Sequence, residues 1–403
     1  MWYRKMKKKS YIKEKIYGGE YFVTVDLTQA RSPERMMRMK SRIVKTVASI
    51  ICAVMLAGCG GQKVSAETES STETESASEL EDTVETEPVE QETEVSHKLT
   101  VWNAYWDLGD AAEEIERRKD DIAAVCFFAA YFNAENRVFI PEETASFFVE
   151  KKEKYEENGW VNYLTVVNDR RNGDGSSSLK DTEMLYQLFA SEEQIRSHAE
   201  EVIGMAVDNG YTGIELDYEN IKDDITLWNL YLDFVYEVWY QAKAAGLSMR
   251  VLLEPNTPVD ELDWVDGPEY VMMCYNLYGS HSGPGPKADM EFLAGLVEKM
   301  EPLPGKKNFA LATGGFDWSD DDTVSEVKEE EAHQLEDKWE AEPKRDEASG
   351  SMVFQYTDEN GISHEVWYAD KETISGWREA VYAAGNYDVS LWRIGGNVTE
   401  EVE

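Results

Sequence analysis

The chain has 403 residues, of which 80 are Asp or Glu and 40 are Lys or Arg, so its formal net charge is −40. Such a charge argues against nucleic acid as a partner, because the phosphate backbone would be repelled. With 42% hydrophobic residues the chain can form a large core, and its length allows one to three domains.

The N-terminal part has the features of an export signal. Residues 39–61, MKSRIVKTVASIICAVMLAGCGG, combine a basic start, an apolar stretch and small residues before Cys59. This pattern is typical of a secretory signal peptide and is too short for a stable membrane span. The sequence Leu56-Ala57-Gly58-Cys59 resembles the bacterial lipobox, and the resemblance implies cleavage before Cys59 and a lipid on its sulfur. An ordinary signal peptide or a short anchor helix is the alternative.

These features divide the first part of the chain. We expect residues 1–38 to be an over-extended start and residues 39–58 to be a signal peptide. Residues 59–97 are rich in Glu, Ser and Thr and have almost no apolar content, so they cannot offset the entropy of ordering and are expected to be a disordered tether. The expected location is extracytoplasmic, with the protein anchored to the cell membrane by lipid.

Residues 98–403 alternate short apolar segments with amphipathic segments. Eight strands separated by helical segments predict an α/β fold, a (β/α)8 TIM barrel, with an open doubly wound sheet as the alternative. The predicted strands are 99–106, 120–132, 160–169, 211–219, 247–255, 270–279, 307–318 and 389–396.

Helix signals lie between these strands. Residues 191–210 predict a helix with Ser191 as N-cap, Gln194 at the capping-box position and a stop at Gly210. Residues 226–246 and 371–386 predict two more. Residues 351–370 read as a β-hairpin inserted between strands seven and eight.

The fourth strand carries three acids at alternate positions. In GYTGIELDYEN, Glu215, Asp217 and Glu219 share one face and the apolar residues share the other. A solvated acidic face is one explanation. In a barrel, however, the acids would face the axis, with Glu219 nearest the C-terminal rim where active sites of this fold lie. Because close carboxylates resist ionising together, Asp217 would help to keep Glu219 protonated as a general acid.

The segment TGIELDYE resembles the strand-four signature of glycoside hydrolase family 18, Asp-x-x-Asp-x-Asp-x-Glu. Glu219 matches the proton donor of that family, and Asp217 matches the acid that orients the substrate N-acetyl group. Thr212 stands in place of the first Asp. Glu215 stands where Asp or Asn is usual, at a position that supports the substrate site.

Other segments extend the resemblance to about residues 98–396. MCYNLYGSHSGPGP (273–286) is similar to strand six of the branch that acts on spore and cell-wall peptidoglycan, so Tyr275 matches the tyrosine that binds the N-acetyl carbonyl. Asn276 replaces the usual Asp at a substrate-binding position. Trp392 would form the floor of the sugar pocket. Tyr105 on strand one is a further candidate for the cleft, with core packing as its alternative.

The resemblance implies a retaining, substrate-assisted mechanism at an N-acetyl sugar, without a cofactor or a metal. It implies cleavage of β-1,4 bonds after N-acetylglucosamine in peptidoglycan, with chitin-like glycans and N-glycans as rival substrates. A non-catalytic glycan-binding lipoprotein on the same barrel is the alternative function, and a wall-associated scaffold is a weaker one. Cys126 and Cys274 predict neither a disulfide framework nor a metal site. We expect a monomer.

Overall fold

The computed structural model describes residues 97–397 and, separately, the backbone of 9–16 and 19–26. Those two short segments form an antiparallel pair, Lys9–Ile16 with Gly19–Asp26, in a compact unit of their own. The predicted signal peptide at 39–58, the lipidation site Cys59 and almost all of the predicted tether lie outside the described residues. Those expectations therefore stay predictions.

Eight parallel strands close into a barrel, which confirms the predicted (β/α)8 architecture. The barrel strands are β1 Leu99–Ala104, β2 Ile122–Phe132, β3 Val161–Arg171, β4 Gly213–Asp217, β5 Ser248–Leu253, β6 Glu269–Met273, β7 Lys307–Ala312 and β12 Asp388–Trp392. Their order around the barrel is β2-β1-β12-β7-β6-β5-β4-β3, and pairing of β2 with β3 completes the closure.

The helix predicted over 191–210 begins and ends where its sequence signals indicated. Ser191 accepts the backbone N–H of Gln194, and Gly210 ends that helix in the left-handed region with φ 82°. The helices are α1 Leu108–Arg117, α2 Glu142–Glu157, α3 Thr182–Leu188, α4 Glu192–Asn209, α5 Ile225–Ala245, α6 Met290–Met300, α7 Glu329–Trp339 and α8 Lys371–Ala384. Across the described part of the chain, no helix is both long and apolar enough to cross a membrane.

The insertion between β7 and β12 is larger than the predicted hairpin. It contains β8 Gly314–Ser319, β9 Val324–Val327, β10 Met352–Thr357 and β11 Ser363–Ala369, and with the short strand Lys344–Arg345 these form a five-stranded antiparallel sheet. The predicted hairpin at 351–370 is present as β10 and β11.

The prediction of one continuous strand over 307–318 was wrong. The chain leaves the barrel at Thr313, whose N–H donates to the Trp392 carbonyl oxygen at 2.8 Å. Gly314 then takes a φ of 61°, and a Cβ at Gly315 would lie 1.7 Å from the Trp367 carbonyl oxygen. The change of sheet therefore depends on two glycines that admit a close backbone neighbour.

Candidate active site at the C-terminal rim

The alternation on β4 places its acids inside the barrel. Ile214, Leu216 and Tyr218 belong to the core between the strands and the helices, so Glu215 and Asp217 face the axis. Gly213 begins the strand, where a Cβ would lie 2.4 Å from the Tyr163 ring. The strand predicted over 211–219 is shorter in the structure, where it spans Gly213–Asp217.

Asp217 lies in the upper layer of the barrel interior and is 5% exposed. Its Oδ1 atom is buried without a hydrogen-bond partner. Burial, together with the negative charges of Glu219 and Glu215, raises the pKa of Asp217 well above its usual range. The site therefore holds a carboxyl group with an increased affinity for its proton and an acceptor oxygen that has no partner within the protein.

Glu219 lies just beyond β4 with its backbone fixed and its side chain turned to the rim. Asn168, near the end of β3, accepts the Glu219 N–H at 3.0 Å and donates to the Glu219 carbonyl oxygen at 3.1 Å. Burial raises the pKa of Glu219, the Lys180 ammonium group opposes that shift, and the nearby Glu254 and Asp169 add to it. A raised pKa suits a general acid at neutral pH.

Lys180 comes from the loop between β3 and α3, and its Nζ contacts Glu219 Oε2. Burial alone would lower the pKa of Lys180, but the charges of Glu219, Asp217 and Glu254 outweigh it and raise that pKa. The sequence analysis missed Lys180. No local pattern marks it, since a ten-residue loop and tertiary contacts bring it to the site.

Glu215 lies one layer below Asp217 and is fully buried. Trp102 Nε1 and Thr165 Oγ1 donate to its Oε1 at 2.6 and 2.7 Å. Arg250 Nε lies 3.3 Å from its Oε2. Glu215 thus lies beneath the acids at the rim, where it can support the site, and its assignment to substrate binding stays a prediction.

Tyr275 follows β6 and joins the apolar cluster inside the barrel, with 8% exposure. Burial, with the charges of Asp217, Glu219 and Glu215, raises the pKa of Tyr275 well above its usual range. Its hydroxyl group therefore keeps its proton and can donate a hydrogen bond close to Asp217, Glu219 and Glu215. The structure brings Tyr275 together with Asp217 and Glu219 as the sequence analysis expected.

The other three residues expected to contact the substrate, Trp392, Tyr105 and Asn276, differ in their location and exposure. Trp392 ends β12, where its ring lies 4.9 Å from that of Phe128 and borders a cavity of about 310 Å³. Tyr105 follows β1 and is half-buried, in edge contact with Tyr131 at 6.2 Å. Asn276 is exposed beyond β6, with a left-handed backbone at φ 63°.

Residues 97–397 contain no group of three or more His, Cys, Asp or Glu side chains that could hold a metal ion. What they bring together is a carboxyl pair, a tyrosine hydroxyl and an ammonium group. These are groups for moving protons and binding polar atoms at the rim of a barrel. The fold and the site thus define a (β/α)8 protein with a candidate acid–base centre at the end of strand four.

Comparison with known proteins shows similarities that include the following three. The chain is 22% identical over 238 residues to the uncharacterized glycosylase YvbX of Bacillus subtilis, a match over 53% of this chain and 69% of YvbX. The spore cortex-lytic enzyme SleL of Bacillus cereus is similar with TM-score 0.64 and 16% identity, over 74% of this chain and 71% of SleL. A chitinase from Chromobacterium violaceum is similar with TM-score 0.62 and 18% identity, over 75% and 96%. No family model matches the chain.

Proposed function

We propose that this protein is a glycoside hydrolase that cleaves β-1,4 bonds after N-acetylglucosamine. The observation that carries the proposal is the pair Asp217 and Glu219 at the barrel rim, both with raised pKa values, beside the buried hydroxyl group of Tyr275. Burying carboxyl groups inside a protein is costly, so a buried pair with raised pKa values indicates a task, and proton donation to a glycosidic oxygen is such a task.

The mechanism follows from the roles these groups can take. Glu219 donates its proton to the glycosidic oxygen while the carbonyl oxygen of the substrate's 2-acetamido group bonds to C1 and the C1–O bond breaks. Tyr275 donates to that carbonyl oxygen, and the unpaired Oδ1 of Asp217 accepts the acetamido N–H. Water then bonds to C1 and opens the oxazolinium ring, and Glu219 takes the proton that the water releases.

The relatives support this class of substrate. A spore cortex-lytic enzyme and a chitinase share the fold, and a glycosylase is similar in sequence. The resemblance of residues 273–286 favours peptidoglycan over chitin. An N-acetyl group next to the cleaved bond is common to both glycans, and the mechanism requires it.

Mass spectrometry of reaction products tests the proposal. The full-length protein, its Glu219→Gln variant and the matched control Glu200→Gln, which changes an exposed residue of α4, are incubated with peptidoglycan, chitooligosaccharides and N-glycans. We expect fragments ending in N-acetylglucosamine from the native protein and from the control, and a loss of roughly 10²–10⁴-fold in rate for Glu219→Gln.

The binding-only alternative has a different outcome in the same assay. Glycan binding by the native protein and by Glu219→Gln, with no fragments from either, would replace the hydrolase proposal with a glycan-binding function. The same rate for the native protein and Glu219→Gln would remove Glu219 from the mechanism.

We also propose that the protein is exported and anchored through a lipid on Cys59. The support is the sequence Leu56-Ala57-Gly58-Cys59 after a basic and apolar segment. Labelling of cells with a fatty acid, followed by membrane fractionation, compares the native chain with Cys59→Ala. The variant is expected to lose both the label and the membrane association. Unchanged labelling would refute the anchor.

A further inference from the structure

Lys180 is held at the mouth of the site by its own backbone. Its N–H donates to Asp169 Oδ1 at 2.7 Å, and the next residue, Asp181, donates its N–H to the Asn168 carbonyl oxygen at 2.8 Å. Arg170 Nη2 lies 2.9 Å from Asp181 Oδ2. The loop is thus tied on both sides of Lys180 to the end of β3, which fixes where the lysine side chain begins.

The contact between Lys180 and Glu219 opposes the role of Glu219 as an acid. An ammonium group that donates to a carboxylate favours the ionised carboxylate, whereas a general acid must carry a proton. The Lys180 side chain is 46% exposed and that of Glu219 is 19% exposed, so the ammonium group lies at the solvent side of the pair and can move to another partner. A lysine whose backbone is fixed beside the acid, and whose ammonium group must leave that acid for catalysis, calls for a second anionic partner when substrate binds.

A second cation lies on the same hairpin. Arg171 ends β3, is exposed, and pairs through its backbone with Ser177 of the short return strand that leads to Lys180. Its guanidinium group lies 4.7 Å from the Tyr131 ring and 5.5 Å from the Phe139 ring. We call the hairpin that carries Arg171 and Lys180 the cationic hairpin. It places one positive charge beside the rings of Tyr131 and Phe139 and the other beside Glu219, in a chain whose net charge is −40.

We propose that Lys180 recognises a carboxylate group of the glycan and, by moving to it, releases Glu219 to act as the acid. This inference rests on the hydrolase function proposed above and narrows its substrate class. The preferred glycan carries an anionic substituent near the cleaved bond, as peptidoglycan does, rather than the neutral repeat of chitin. The carboxylate belongs either to the sugar's lactyl group or to an attached peptide, and both offer the same partner to an ammonium group.

The test measures kcat/KM of the full-length protein on matched substrates. Peptide-free peptidoglycan strands with free lactyl carboxylates are compared with their methyl esters, with strands that keep the peptide, and with chitooligosaccharides of equal length. The variants are Lys180→Met and the control Lys243→Met, which removes an equal charge from an exposed residue in the last turn of α5.

We expect the native protein and Lys243→Met to prefer the free carboxylate over its ester by about tenfold, or about 1.4 kcal/mol. Lys180→Met should bring that ratio close to one. A preference that depends on Lys180 and appears only with peptide-bearing strands would support the proposal and place the carboxylate in the peptide.

Equal rates of the native protein on acid and ester, with no gain from the peptide, would overturn the inference while leaving the hydrolase function intact. Retention of the preference by Lys180→Met would do the same. Absence of turnover on every glycan would overturn the hydrolase function, and this inference with it.

Discussion

Arg250 Nε lies 3.3 Å from Glu215 Oε2 inside the barrel, and neither side chain is exposed. The same Nε atom lies 3.2 Å from Glu269 Oε2, and Arg250 Nη2 donates to Ser390 Oγ at 2.8 Å. The guanidinium group of Arg250 therefore compensates the negative charges of Glu215 and Glu269 in the layer of side chains below Asp217. Together with the donors Trp102 and Thr165, Arg250 holds Glu215 in place beneath Asp217.

The first prediction concerns this buried ion pair. Arg250→Met should lower the free energy of unfolding by about 3–5 kcal/mol, because Glu215 and Glu269 would lose the cation that compensates their burial. Urea unfolding followed by circular dichroism measures the change.

The double variant Arg250→Met/Glu215→Gln provides the control. Removing the stranded carboxylate together with its partner should restore part of the stability, so that the two substitutions are less than additive. Strictly additive losses would show that Arg250 stabilises the barrel by packing and not by its charge.

The second prediction is a shift in pH dependence caused by Lys180. Glu219 donates only while protonated, so kcat/KM falls as pH rises through its pKa. Burial raises that pKa and Lys180 opposes the shift, so Lys180→Met should move the falling limb to higher pH. The pH profile is measured on chitooligosaccharides, which lack a carboxylate. An unmoved limb in Lys180→Met, or an equal shift in Lys243→Met, would contradict the prediction.

Much of the fold was predictable because its signals are local. The alternation of Glu215, Asp217 and Glu219 with apolar residues gave the inward face of β4. Ser191 and Gly210 gave the ends of α4. Arg250 could have been predicted as well, since it occupies an inward position on the next strand, where a cation faces the otherwise unpaired charge of Glu215.

Other features depend on contacts between distant segments. The exit of the chain at Thr313 requires Gly315 to meet the backbone of Trp367, 52 residues later in the chain. Lys180 reaches Glu219 across 39 residues. Neither position carries a periodic pattern or a motif, so the strands of the insertion outside the predicted hairpin, and the cationic hairpin, could not be predicted from the sequence signals that located the acids.

The third prediction concerns the stability cost of Asp217. Folding raises the pKa of Asp217, by burial first and by Glu219 and Glu215 next, so the folded state holds the proton more tightly than the unfolded state does. The stabilisation that this proton contributes is complete below the pKa of Asp217 in the unfolded state, about 3.9. It is lost as the pH rises through the pKa of Asp217 in the folded state.

Asp217→Asn cannot lose a proton there. We therefore expect it to gain stability relative to the native protein as pH rises above about 4, while its rate falls roughly 10²-fold or more because the neutral amide cannot balance the oxazolinium charge. Thermal unfolding at several pH values gives the first result and kcat gives the second. A stability difference that does not change with pH would argue against a raised pKa at Asp217.

The fourth prediction isolates the hydroxyl group of Tyr275. Because burial and the neighbouring acids raise its pKa, this hydroxyl group keeps its proton and can donate a hydrogen bond that holds the acetamido oxygen in position for attack on C1. Tyr275→Phe keeps the ring in the apolar cluster and removes that donor. We expect kcat to fall roughly 10²-fold, with a smaller change in KM, because the acetamido oxygen is no longer held in the orientation that attack on C1 requires. The control is Tyr240→Phe, which removes a hydroxyl group from a residue that is 52% exposed on α5. A loss confined to KM would mean that Tyr275 binds the ground state and does not stabilise the transition state.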